Sequence, residues 1–227
     1  MNLGALVAST FLTLSPTDYQ VVNFQHQKAP IYAQASQEDL STRLLREADE
    51  KAKKNPVAAI PLYQKVLAED GPLKEEAVGR LLDIYKRVTD KVLDGSLEYN
   101  EKYIKDAFDF YSEVEDISNN PHSAKAKLYY GILLWRWQAP ENFDYAIEKL
   151  SEAYKIGNKK IKVESAWHLA LITWNYATNY PEIGLYKKYD ISYAKEYFQK
   201  VIQLAPNSEY AKKARKLLET DTFQKIK

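Results

Sequence analysis

AKEYFQKVIQLAPN, residues 194–207, carries a spacing that recurs three more times along the chain. Ala194 is followed by Phe198 four residues on, by Val201 three after that, and by Pro206 twelve residues beyond the alanine. The same places are held by Ala59, Tyr63, Val66 and Gly71, by Ala107, Tyr111, Val114 and Asn119, and by Ala146, Leu150, Ala153 and Asn158. Steps of three and four put a small residue, a ring or leucine, and a hydrophobe on one helix face. A helix-ending residue at constant offset then closes each segment. One match at this spacing is weak, but four in register mark a repeat. The spacing predicts helices over 57–68, 104–117, 145–156 and 192–204, each the second member of a helix pair.

The first members agree less uniformly. Ala166 and Trp167 precede Ala170, Leu171 and Trp174, and Ala126, Tyr130, Gly131 and Leu134 repeat the pattern. Ala77, Leu81, Leu82 and Tyr85 give a third copy. Gly131 falls where the facing helix must come close. The earliest pair offers only a stripe of Leu40, Leu44, Leu45 and Ala48, as expected of a terminal repeat. After Pro206-Asn207, Ser208 is a good N-cap, and Tyr210, Ala211, Ala214, Leu217 and Leu218 follow at helical spacing. This predicts a closing helix whose outer face carries Lys212, Lys213, Arg215 and Lys216.

These motifs resemble the tetratricopeptide-repeat family over roughly residues 37–220, and 194–207 is the most specific stretch. Residues 153–171, with their Gly157-Asn158 turn, are similar to the Sel1 variant. The resemblance implies an all-α fold, a right-handed α-solenoid of about four antiparallel helix pairs plus a C-terminal capping helix. It implies a non-catalytic scaffold or adaptor, a subunit of a larger assembly that takes a peptide or helix of a protein partner in its concave groove. In that register the groove wall includes Asp83, Lys86, Lys125, Leu128, Ile132, Trp135, His168, Ile172 and Asn175, with Ile132, Trp135 and Ile172 as its dry centre. The Lys/Asn set that clamps a chaperone's terminal carboxylate in some members is not recognisable, which disfavours a chaperone-tail adaptor. The phrase from Pro206 to Ala211 is similar to one that opens repeats in bacterial envelope members.

Two departures stand out. The loops near 91–103 and 178–190 exceed the family's short turn by roughly a dozen residues. They hold Tyr99, Tyr103, Tyr180, Pro181, Tyr186, Lys187, Lys188 and Tyr189. Either they project as edge insertions with a function of their own, or they extend the helices and pack on the next repeat.

The chain divides into an N-terminal segment (1–36), the repeat region (37–220) and a short tail (221–227). Residues 3–14 form an apolar run as long as a signal-peptide core and too short to span a bilayer. No Lys or Arg precedes it, while Ala33-Gln34-Ala35 has the small-x-small pattern of a signal-peptidase site. The segment is thus a leader, a disordered tail, or an arm lying on a neighbour or membrane. In the last case the protein is a structural subunit anchored by residues 3–14. The location is cytoplasmic, or a periplasm or cell envelope if that site is cleaved.

The rest of the composition narrows the chemistry. Lys and Arg number 32 against 31 Asp and Glu, so the net charge of +1 offers nucleic acid no general attraction. The basic clusters at 159–162, 187–188, 212–216 and 225–227 read as solvated faces. Zero cysteines remove disulfides, thiolate metal sites and cysteine nucleophiles together. His26, His122 and His168 lack partners at metal-ligand spacing, and no phosphate loop or nucleophile elbow appears. His168 is expected to line the groove or sit satisfied beside Trp167. Asp106, Asp109, Glu113, Glu115 and Asp116 are expected on a mostly solvated helix side. Trp137, Trp167 and Trp174 are expected between helices, and Trp135 toward the groove. No cofactor, metal or small-molecule substrate is expected; a pocket at the inserted loops is the remaining enzymatic alternative.

Overall fold

A computed structural model describes residues 31–69, 71–117, 120–138, 142–179 and 191–224. The described residues are helical, without strands. In chain order the helices are α1 (Ile31–Lys54), α2 (Pro56–Ala68), α3 (Lys74–Leu93), α4 (Glu101–Asp116), α5 (Ser123–Gln138), α6 (Phe143–Ile156), α7 (Lys159–Asn179), α8 (Ile191–Leu204), α9 (Glu209–Leu218) and α10 (Asp221–Gln224). Among them no helix is long and apolar enough to cross a membrane. Residues 3–14 lie outside the described part, and the Ala33–Ala35 motif falls within α1.

The helix starts are set by local chemistry. Asn55 Oδ1 accepts from the Ala58 amide at 3.3 Å, with Pro56 as the first helical residue, where its missing N–H costs nothing. Asn100 caps α4 through Lys102 at 3.0 Å, Asn158 caps α7 through Ile161 at 3.1 Å, and Ser208 caps α9 through Ala211 at 3.1 Å.

Each helix packs on the next in the chain. Tyr63 donates to Asp49 Oδ1 at 2.6 Å across the Asn55 turn, so α2 folds back on α1. Tyr85 against Phe110, Tyr130 against Tyr145 and Trp174 against Phe198 join the next three pairs. The three leading residues of every repeat quartet are buried: Ala59, Tyr63, Val66, Ala107, Tyr111, Val114, Ala146, Leu150, Ala153, Ala194, Phe198 and Val201. Gly131 sits where α6 crosses closest. A Cβ there would stand 2.7 Å from Leu150 Cγ and 3.0 Å from the Ala146 carbonyl oxygen. Beyond chain neighbours, α3 packs on α5, α5 on α7 and α7 on α9. From α3 to α9 the odd-numbered helices therefore touch in series.

Two expectations need correction, and one alternative is narrowed. Of residues 91–103 only the ends are helix: α3 runs to Leu93, α4 starts at Glu101, and residues 94–100 form a turn that passes through Gly95 at φ +79°, a left-handed value suited to glycine. Tyr103 is half-buried against the first core, while Tyr99 projects, at 61% exposure. Residue 221 does not begin a bare tail, since Phe223 of α10 is buried against Trp174 and Phe198. Glu115 is not solvated. It is buried and pairs with Lys149 Nζ at 2.6 Å and Lys127 Nζ at 3.5 Å, cations that α6 and α5 bring to it.

Candidate functional site

The contact of α3, α5 and α7 leaves a hollow of about 540 Å³ on one side of the molecule. Its lining is Lys86, Asp90 and Leu93 from α3, Ile132, Trp135 and Arg136 from α5, and His168 from α7. Helical spacing explains the grouping. Lys86, Asp90 and Leu93 share a face at steps of four and three, as do Ile132, Trp135 and Arg136.

Asp90 is the centre of charge. Its Oδ2 accepts from Lys86 Nζ at 2.5 Å, and its Oδ1 accepts from the Arg136 guanidinium of the next helix pair. One carboxylate thus holds two cations. Beneath them the Trp135 indole meets the His168 ring edge-on, with centroids 5.9 Å apart. An edge of His168 opens to the hollow, but its Nδ1 is buried and has no hydrogen-bond partner. Burial lowers the imidazole pKa to about 3, and the nearby Lys86 and Arg136 charges push the same way, so the ring is neutral at ordinary pH.

A second polar group continues the same side. Lys125 Nζ donates to Asp83 Oδ2 at 2.6 Å and to the Gly79 carbonyl at 3.2 Å, while the Tyr129 hydroxyl donates to Asp83 Oδ1 at 2.8 Å. Burial, reinforced by Asp83, holds the Tyr129 phenol well above its ordinary value. The Tyr129 ring lies 5.9 Å from both Lys86 Nζ and Lys125 Nζ. Glu164 of α7 is raised by burial, with Lys86 and Lys160 opposing.

Of the nine residues assigned to a groove wall, the hollow gathers Lys86, Ile132, Trp135 and His168. Asp83 and Lys125 form the adjoining cluster, and Asn175 is exposed elsewhere on α7. Leu128 and Ile172, at 1% and 0% exposure, belong to the core and present no surface to a partner. Ile132, at 2%, floors the hollow and does not project from it. Both α5 and α7 are flanked by other helices on more than one side, which buries residues that a two-faced helix would show. Tyr186, Lys187, Lys188 and Tyr189 lie outside the described residues.

Asp90, Leu93 and Arg136 were missed by sequence reasoning. The four-residue step from Lys86 to Asp90 was the available signal for the first. His168 lines the hollow, one of the two places expected for it, and its Nδ1 there is buried without a hydrogen-bond partner. Among the described residues no group of three or more His, Asp or Glu side chains could hold a metal ion. No family model, no curated protein and no solved structure matches the chain.

Proposed function

We propose that the chain is a non-catalytic docking scaffold of the tetratricopeptide kind, a right-handed solenoid of four helix pairs closed by a C-terminal capping helix. Its α3–α5–α7 side is the concave wall, and this wall holds a helix or extended segment of a protein partner within a larger assembly. The observation that supports this best is the serial contact of the odd helices, which assembles side chains from three repeats around one hollow. A wall of that kind gives a long ligand several points of attachment.

Its ions are already paired with one another, Lys86 and Arg136 with Asp90 and Lys125 with Asp83. They contribute orientation and encounter rate more than affinity. The affinity comes from apolar and aromatic contact at Trp135, the large ring facing the hollow.

The test is affinity capture from the source cells through a C-terminal tag, comparing the native chain with Trp135→Ala. The expected result is a stoichiometric partner whose binding weakens by more than about 1 kcal/mol in the variant, with helix content unchanged by circular dichroism. Undiminished binding to a folded variant, or capture of the chain alone, overturns the proposal.

A further inference from the structure

On the opposite face of α5 from the docking wall, a second opening is walled by aromatic rings. Ile132, Trp135 and Arg136 turn one way, and Tyr130, Leu134 and Trp137, at steps of four and three, turn the other. There an open cleft of about 450 Å³ lies between α4, α5 and α6. We infer that this cleft seats a cationic side chain, arginine or lysine, from a basic segment of a protein partner, its charge against the rings of Trp137 and Phe108 and within reach of Asp109. The surface is separate from the α3–α5–α7 wall, and neither reading depends on the other.

The rings supply the attraction. Phe108 stands 5.1 Å from Trp137 and 5.3 Å from Tyr130, centroid to centroid, and Tyr130 stands 5.7 Å from Tyr145. None of the four is fully buried. One cation already lies on this side: Lys149 is 4.9 Å from the Tyr145 centroid and 5.8 Å from that of Tyr130. It is buried with Glu115, and among the described residues it leaves Trp137 and Phe108 without a cation of their own. Tryptophan is the ring type that binds a cation most strongly.

The charges decide which guest fits. Lys105 on the rim is paired with Glu101 at 3.0 Å. The cations of α5 are engaged as well, Lys125 with Asp83, Lys127 with Glu152 and Arg136 with Asp90. Asp109 lines the cleft, is exposed, and has no ion pair or hydrogen bond among the described residues. Together α4 and α6 carry nine acidic side chains against four lysines, so an acidic segment or a phosphate backbone is repelled. A neutral guest gains nothing from Asp109, whereas a cation is drawn by the carboxylate and by the ring faces together. The chain uses the same combination elsewhere: Lys200 lies 4.2 Å from the Tyr197 centroid and 5.7 Å from that of Tyr154, and pairs with Glu196 at 2.6 Å.

The experiment titrates the full chain, with 15N-labelled tryptophan, against a peptide of arginines spaced by glycines and against its neutral citrulline twin. Binding is read by NMR at the Trp137 indole, a resonance assigned by its loss in Trp137→Phe. At low salt the expected result is a saturable shift, with the arginine peptide bound at least about tenfold tighter than the citrulline one. Asp109→Asn, which removes a charge that holds no partner in the fold, should weaken the arginine peptide about threefold, and added salt should weaken it further. Glu47→Gln, a neutralisation on the distant α1, should leave the affinity unchanged. Equal binding of the two peptides, an unmoved Trp137 resonance, or full affinity in Asp109→Asn overturns the inference. So does an equal loss in Glu47→Gln, which would show general attraction and no seat. None of these readings involves Trp135, so their failure leaves the docking wall standing, and capture indifferent to Trp135 leaves the cleft standing.

Discussion

At the scale of single residues, His168 is where burial and chemistry disagree most. An imidazole held neutral in the native state, with its pKa near 3, takes up a proton readily once the chain unfolds and the value returns toward 6.5. Between those limits the unfolded state binds more protons, so stability rises with pH through the window and is lost as pH falls from about 6.5. Other groups titrate over the same range, so the informative quantity is the difference between native chain and variant. Urea unfolding at stepped pH should show the native chain losing stability relative to His168→Phe, at a slope approaching about 1.4 kcal/mol per pH unit below pH 6. Parallel curves for the two proteins would mean that the ring is solvated.

At the scale of elements, the helices are tied across pairs by a few buried charges as well as by rings. Glu115 of α4, at 5% exposure, is the clearest, bonded to Lys149 of α6 and Lys127 of α5. Burial alone would lower the Lys149 ammonium, but the hydrogen bond and attraction from Glu115 outweigh it and hold the pKa above its ordinary value. The Lys149 ammonium also lies 4.9 Å from the Tyr145 ring centroid. Lys149→Met leaves the buried Glu115 only its 3.5 Å partner Lys127, so it should destabilise by about 1.5–3 kcal/mol. Adding Glu115→Gln should recover much of that loss, because no under-paired carboxylate then remains. A thermal melt of the single and double variants decides this, and a single variant as stable as the native chain would show Glu115 reaching water.

At the scale of the whole molecule, the core is two clusters. One fills α1–α4 and borrows Ala126 and Leu133 from α5, and the other runs from α5 to α10. Phe108, Tyr129 and Tyr130 pack on both. Phe108 is the hub of that seam, 5.3 Å from the Tyr130 ring centroid and 5.1 Å from that of Trp137. Stacked architectures owe their cooperativity to such nearest-neighbour interfaces. Phe108→Ala should therefore cost about 2 kcal/mol or more and also uncouple the halves. Hydrogen exchange should then show α1–α4 and α5–α10 opening at different free energies. Simultaneous loss of protection throughout the variant would place the coupling elsewhere.

What the sequence determined by itself was the order and bounds of the second helices and their inward faces. Small, large and hydrophobic residues at steps of four and three are buried in all four, because a helix packed in one direction repeats its contacts with the helical period. The breaks at Asn55, Asn158 and Ser208 were equally legible, since a capping side chain acts on amides two or three residues away. Tertiary structure alone decided the fate of the middle helices. In α5 and α7 hydrophobic residues occur on every side, because neighbours press on several faces, and no periodicity distinguishes a wall from a core. Leu128 and Ile172 went inward for that reason, while Trp135 kept a face to the hollow. The burial of Glu115, the sharing of Asp90 between Lys86 and Arg136, and the unpartnered Nδ1 of His168 likewise depend on atoms from separate helices. Spacing along one chain cannot report such meetings, because they arise only when the helices stack.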